Sequence, residues 1–433
     1  MKGEYIVDLH IHSPWARACS PQLTLENIYR WCKIKGITVI GVGDFTHPQR
    51  FQEIKKKLVP AEEGLFCLHP RWAKENDKLI PQSVRHNEVR FLLSTEISTI
   101  YSKYGRLRKL HQLILLPDLS TVAEFNRQLQ KIGKLASDGR PILGLESKEL
   151  LKMTLQLHPQ ALFIPAHIWT PHFSLFGSNS GFDSLEEAFE ELSGEIKAVE
   201  TGLSSDPFMN WRLSQLDGLT LVSGSDAHSL PKMAREAIIL RAPLNYSAIR
   251  QAIVSGNDDF IGTIEFFPEE GKYHYDGHRR CGVVLNPRQT KKYQGLCPKC
   301  GRPLTRGVLH RVEELADREP DYRPLQHKKV EYIIPLVEIL AELIGVKGSN
   351  SRRVEKIYQQ LYQKLGDEFR ILRQVDVEEI KEAGFPQLAQ AIQRLREKKV
   401  AVQPGYDGVY GIIRLFADST SLPPHSEQLN FSI

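Results

Sequence analysis

Short apolar runs separated by longer amphipathic stretches dominate the first 265 residues. YIVDLHIH (5–12), TVIGVGD (38–44), RFLLSTEIS (90–98), LHQLILLP (110–117), LFIPAHI (162–168), IKAVETG (196–202) and LTLVSGSDAH (219–228) have the length and residue types of strands. Between several of them, stretches such as TLENIYRWCKIKG and SLEEAFEEL repeat apolar positions at helical spacing. That alternation predicts an α/β fold of βα units around a parallel sheet or barrel. The pattern changes at residue 266. Residues 266–310 have little helical periodicity and are rich in Gly, Pro, Cys and basic residues, as in a small metal-stapled module. From 311 to about 400 the spacing is helical again, with VEYIIPLVEILAELIGV, SRRVEKIYQQLYQKLG and VDVEEIKEAGFPQLAQAIQRLREKK carrying apolar faces and Gly stops. VAVQPGYDGVYGIIRLF reads as strand, turn, strand, and STSLPPHSEQLNFSI as a mobile tail. Three parts are therefore expected: 1–265, 266–310, and a mostly helical 311–433.

A length of 433 residues fits two or three domains. No apolar run reaches membrane-spanning length, and MKGEYIVDLH lacks the apolar core of a signal peptide, so a cytoplasmic protein is expected. The charge is uneven. Lys272 to Arg311 holds ten Lys/Arg against one acid, Asp276, a net +9 that leaves the rest of the +5 chain at −4. A basic segment on a mildly acidic body points to an anionic polymer partner.

The strand ends carry the chemistry. His10 and His12, at i and i+2, share one face of the first strand. The second ends at Asp44 with His47 close behind, and the third carries Glu96. His111, His167, and Asp226 with His228 mark the fourth, fifth and last runs. In a barrel of parallel strands, carboxyl ends form one rim, where active sites are built. This N/O ligand set suits zinc, manganese or iron, and eight positions, with Asp44 and His47 counted as one, exceed what one ion takes, so two or three ions are expected. A second set lies downstream: His278-x2-Cys281 and Cys297-x2-Cys300, with Pro298 and Gly301 suited to a knuckle turn. The spacing predicts a tetrahedral HisCys3 structural zinc, with His274 as rival fourth ligand. A redox CxxC would instead open a helix after a strand.

DLHIHS, GVGDFTH, TEIS, PAHI and SGSDAHS resemble the successive motifs of the PHP (polymerase and histidinol phosphatase) superfamily over residues 1–265. The resemblance implies a distorted seven-stranded β/α barrel holding up to three metals and hydrolysing phosphoesters. The ligand positions then fall on His10, His12, Asp44, Glu96, His111, His167, Asp226 and His228, with Asp226, Glu96 and Asp44 as catalytic candidates. Two departures stand out. GDFTH leaves Asp44 and His47 as alternatives, Asp44 being favoured. PWARACS, where a further ligand is expected after the HxH pair, offers only Cys19.

With KYHYDGHRRC, CPKCG, GVLHRVEELADRE and PGYDGVYGII following the barrel, the whole chain resembles the endonuclease Q family of DNA repair enzymes. That implies a metal-dependent endodeoxyribonuclease nicking 5′ to deaminated bases (uracil, hypoxanthine, xanthine) and abasic sites. Attack by metal-activated hydroxide would leave a 3′-hydroxyl and a 5′-phosphate. The cofactors would be Zn²⁺ in both sites, with Mg²⁺ or Mn²⁺ as candidates for catalysis. Reading a base within a duplex requires flipping it. Trp169, Phe173 and Asn179 in one loop and Glu200 and Ser204 in another are the expected pocket and wedge. Arg279, Arg280, Lys291 and Lys292 are expected on the DNA backbone. The alternative is a PHP-type phosphatase or exonuclease acting on other phosphoesters. A monomer is expected, and Gln428, Leu429 and Phe431 loosely resemble a sliding-clamp-binding peptide.

Overall fold

The computed structural model describes residues 3–346 and 348–416, so the clamp-like tail lies outside the described residues. Seven strands carry the candidate rim: β1 (Tyr5–Asp8), β2 (Ile37–Gly41), β3 (Arg90–Lys103), β4 (Arg106–Leu116), β5 (Leu162–Pro165), β6 (Ala198–Glu200) and β7 (Thr220–Val222). β1, β2 and β3 run parallel, as do β6 and β7. β4 runs antiparallel to both β3 and β5. This departs from the parallel arrangement predicted above, and the cause is local. Only Tyr104 and Gly105, both at positive φ, separate β3 from β4. A two-residue turn of that conformation makes a hairpin and leaves no room for a crossover helix.

The strand ladders form an open path rather than a closed cylinder. β5 meets β6 just past the strand ends, where Ile168 N–H donates to the Glu200 carbonyl at 3.0 Å. β7 meets β1 through an isolated parallel bridge, Ile11 to Ala227. Outside the rim, β8 (Ala237–Leu240), β9 (Phe260–Glu265) and β10 (Lys329–Tyr332) extend the sheet from β1. β10 replaces the start of the helix expected from VEYIIPLVEILAELIGV: Pro335 breaks the run, and the β-branched and aromatic residues before it pair with β9.

Helical predictions fare well where caps are present. The helix Leu25–Lys35 starts with Thr24 Oγ1 accepting from Asn27 N–H and ends at Gly36, φ +85°. It buries Leu25, Ile28, Tyr29 and Cys32 against the sheet, which makes Cys32 a core residue. The C-terminal helices Leu336–Leu343, Arg352–Leu365, Glu368–Arg373, Val377–Glu382 and Pro386–Arg396 share a core of their own. A buried Lys35–Glu368 bond of 3.3 Å ties them back to the first helix. No helix among the described residues is long and apolar enough to cross a membrane.

Ala237 on β8 pairs with Ile264 on β9, so Glu236 and Glu265 face each other at the next register position, both wholly buried. Burial pushes both carboxyls well above the ordinary glutamate range, reinforced by repulsion from Glu265 at Glu236 and from Asp206 at Glu265. A group with a raised folded pKa costs nothing below its unfolded pKa and an increasing amount as pH rises towards the folded value. Glu265→Gln should therefore leave thermal stability near that of the unsubstituted protein at pH 5 and raise it progressively above pH 6. Melting curves from pH 5 to 9 check this, and a gap that shrinks with pH would contradict it.

Candidate metal centre

β1 brings His10 and His12 into the interior with no exposed surface on either ring. The end of β1 is fixed by Asp8, a buried carboxylate that accepts from the backbone of His10, Ser225 and Ala234 and from Ser225 Oγ. Burial raises Asp8 to about 6, and those four bonds only partly offset the shift. Asp8 thereby links the first strand to the SGSDAH turn that carries Asp226.

Glu96, mid-strand on β3 and 1% exposed, sits between two groups of histidines. Its Oε2 faces His10 Nε2 at 3.5 Å and His12 Nε2 at 3.2 Å, and Asp226 Oδ1 lies 3.0 Å from the same His12 nitrogen. Its Oε1 faces His111 Nδ1 at 2.7 Å and His167 Nε2 at 3.0 Å. Two sets follow, His10, His12, Glu96 and Asp226, and Glu96, His111 and His167, each with ligand atoms within 4.8 Å of one another. One carboxylate shared by two ligand sets is the arrangement of a two-ion site.

The donor chemistry fits metal ions. His10 gives Nδ1 to Glu200, while its buried Nε2 has no hydrogen-bond partner and points into the centre. Burial disfavours charge on His10, yet Glu200 and Glu96 outweigh it and push the imidazole well above the usual histidine range. His12 behaves alike through Asp44. The carboxylates thus demand positive charge at this point, and bound cations would supply it.

Asp44 and His228 fall outside the two sets. Asp44 accepts His12 Nδ1 at 2.9 Å, and its other oxygen takes Ser13 N–H and Oγ–H, both at 2.6 Å. It stands behind the expected ligand position and orients His12, as carboxylates behind metal-bound histidines do. His47 is stacked on Trp15 instead, 5.6 Å between rings. His228 lies 4.7 Å from the His12 ring, its Nδ1 donating to the Asp226 carbonyl. Asp226, with 27% of its side chain exposed, is the most open member of the two sets.

Two pocket expectations are corrected. Glu200 is 1% exposed and clasps His10 Nδ1 and the His167 N–H, so it belongs to the support of the centre and cannot read a base. Gly224 makes room for it: a Cβ there would meet Glu200 Oε1 at 2.4 Å. Trp169, 1% exposed, packs on Phe176 with its indole N–H donating to Asn210 Oδ1 at 2.8 Å, which leaves no wedge to insert. Phe173 is half-buried, 4.8 Å ring to ring from His111. Asn179 and Ser204 line a cavity of about 1130 Å³. Thr170 connects this cavity to the centre, its Oγ1 3.2 Å from His167 Nδ1. Lys272, His274 and Arg306 form one part of its wall, with Arg311 also lining the cavity.

That part of the wall belongs to the cysteine module. The hairpin Asp276–His278 and Val283–Leu285 and the knuckle at Cys297, where Gly301 (φ +68°) donates back to the Cys297 carbonyl, bring His278, Cys281, Cys297 and Cys300 together. Desolvation opposes the Cys297 thiolate, but N–H groups of Lys299 and Cys300 and the His278 ring hold it at about 6. His274 lies outside this set: it is buried, its Nδ1 has no partner, and burial lowers it to about 4. Arg279, Arg280, Lys291 and Lys292 are exposed on the module.

Residues invisible to motif reading complete the site. Arg140 Nη1 lies 2.9 Å from Glu96 Oε2, although no pattern around GRP marks it. Asp44, His167 and Asp226 all have positive φ (56°, 31° and 45°), unusual for non-glycine residues and concentrated here at strand ends.

Two ligand sets bridged by one mid-strand carboxylate form a two-ion centre of the kind that metal-dependent hydrolases use. Over its whole length the chain resembles endonuclease Q. The lesion-specific endonuclease from Pyrococcus furiosus is 29% identical with a TM-score of 0.82, covering 98% of this chain and all of that one. Endonuclease Q in complex with a 27-mer duplex bearing an abasic lesion at the active site is 29% identical, TM-score 0.79, covering 97% and 100%. YqxK of Bacillus subtilis is 29% identical over 430 residues, 96% of this chain and 100% of that protein. MJ0043 of Methanocaldococcus jannaschii is 32% identical over 256 residues, 57% of this chain, and the match spans 31% of that relative. The family model for the MJ0043 C-terminal domain matches residues 335–399.

Glu200→Gln should keep the fold and weaken metal binding at the centre by about 10- to 100-fold, measured by metal titration against a competing chelator. Cys297→Ser should remove one metal ion from the His278/Cys281/Cys300 site while leaving the metal content of the centre unchanged, checked by elemental analysis.

Proposed function

We propose that this protein is a DNA repair endonuclease that nicks the phosphodiester 5′ to deaminated bases and abasic sites. The observation that carries the reading is a Glu96-bridged double ligand set with a large cavity next to it, the two sharing Thr170 as a neighbour, and residues of the basic module among the cavity's lining. A small phosphoester needs neither that cavity nor exposed Arg279, Arg280, Lys291 and Lys292. A DNA backbone running over the module would engage them, and a nucleotide turned out of the stack would enter the cavity between Asn179 and Ser204. The full-length likeness to a chain seen with an abasic duplex at its active site supports DNA as the substrate.

In this reading β1 to β7 form a distorted seven-stranded barrel, closed between β5 and β6 and between β7 and β1 by the contacts past their ends. Residues 1–265 are the catalytic part, 266–310 the zinc module and 311–433 the helical part. Metal ions, when bound, activate water near neutral pH and neutralise the phosphate oxygens; zinc, magnesium and manganese are the candidates. The chain's own residues prepare them. Glu200 and Asp44 hold Nδ1 of His10 and His12, so that both Nε2 atoms face the centre. Glu96 spans the two positions. Asp226, the most open of these residues, faces the substrate and orients the attacking water. Departure of the 3′ oxygen leaves a 3′-hydroxyl and a 5′-phosphate.

The test is a labelled duplex carrying a single deoxyuridine, deoxyinosine or abasic site, incubated with the protein and Mg²⁺, Mn²⁺ or Zn²⁺. One nick on the 5′ side of the lesion, ligatable at its 3′-hydroxyl, is expected. Asp226→Asn should keep the fold and lower cleavage at least about 1000-fold. Release of phosphate from small esters without nicking would favour the phosphatase alternative.

A further inference from the structure

The stretch PWARACS, where a further ligand is expected, is not bare in the folded chain: another loop covers it. Gly139 N–H donates to the Trp15 carbonyl at 3.0 Å, and Arg17 N–H donates to Asp138 Oδ1 at 3.2 Å. Thr46 Oγ1 holds the Gly139 carbonyl, and the Pro141 carbonyl accepts from Ser98 N–H on β3. Gly139 fits because it has no Cβ: one would lie 2.5 Å from Asp44 Oδ2 and 2.9 Å from Ala16 Cβ. The loop is therefore pinned on both sides, and its next residue, Arg140, is directed at the centre. Arg140 Nη1 meets Glu96 Oε2 at 2.9 Å, on the His10/His12/Asp226 side of the bridge. A quarter of the side chain stays open to solvent, and among the described residues its other N–H groups have no protein partner.

A merely structural ion pair is a poor account of this contact. Glu96 already faces four imidazoles, and a buried pair adds little net stability. A guanidinium keeps its charge at any working pH and offers five donors in a planar fork, which matches phosphate oxygens. We propose that Arg140 is a catalytic residue: its guanidinium is a fixed cation set beside the Glu96 bridge, on the His10/His12/Asp226 side, and its free N–H groups hold a non-bridging oxygen of the scissile phosphate. This rests on the phosphodiesterase reading, and the test separates the two.

Inorganic phosphate serves as the probe, because its binding to the metal-loaded protein requires no turnover. Arg140→Ala should retain the metal content of the unsubstituted protein and weaken phosphate binding by about tenfold or more, the loss of a charge-assisted bond. Added guanidinium should restore much of that affinity. Arg140→Lys, which keeps the charge without the fork, should fall between and covers the case in which the alanine variant fails to fold. Nicking of the lesion duplex, or hydrolysis of bis-(4-nitrophenyl) phosphate, should drop by about 100-fold in Arg140→Ala with the Michaelis constant changed far less. Unchanged phosphate affinity in folded Arg140→Ala would overturn the proposal, as would lower metal content in both variants, since Arg140 would then only position Glu96. Hydrolysis of the small diester without lesion nicking would defeat the DNA reading alone.

Discussion

Glu96 is a fully buried carboxylate that needs cationic or ionisable partners at both oxygens, and much of the architecture follows from that. Its two oxygens receive histidines from β1 on one side and from β4 and the end of β5 on the other, with Arg140 closing over the first. A carboxylate so deeply buried is tolerable only because each oxygen faces positive or ionisable partners. The hairpin of β3 and β4 puts Glu96 and His111 on neighbouring strands, and the Asp8 clasp draws the Asp226 turn against β1. Remove the bridge and two groups of imidazoles would face each other with nothing between them.

Around that bridge the protein builds in layers. The histidines are held by Asp44, Glu200 and Thr170, residues that face away from the cavity or at its edge. A cavity adjoins Thr170, and residues of the cysteine module help to line it. The candidate ligands thus sit on strands or just past their ends, while the cavity is lined by loops and by part of the cysteine module.

How much of this was legible in the sequence depends on the kind of signal. His10, His12, Glu96, His167 and Asp226 were legible because strand periodicity and strand ends place them together whatever the details of the fold. His278 and the three cysteines were legible from spacing alone. The antiparallel course of β4 was missed because the pattern of apolar residues is the same in either direction, and only the shortness of the Tyr104–Gly105 connection tells them apart. Glu200 was assigned to the pocket because its loop reads as polar and exposed; its burial depends on Gly224 and His10, remote in sequence. Trp169 carried the same ambiguity, since an aromatic in a rim loop can face either way. Arg140 left no trace, as its place is set by a loop lying across another loop.

The clasp between the two ends of the catalytic part has a consequence for how the protein is made. His12 and Asp226 are 214 positions apart, yet their side chains touch. On the ribosome the paired histidines emerge long before the aspartate that completes their set, and the intervening strands must be laid down first. Contacts of such long range form late and slowly. The nascent chain therefore carries an incomplete ligand set for about half of its synthesis. Loading at full affinity would follow docking of the last rim strand, so tight retention of metal would report that the rim itself has assembled.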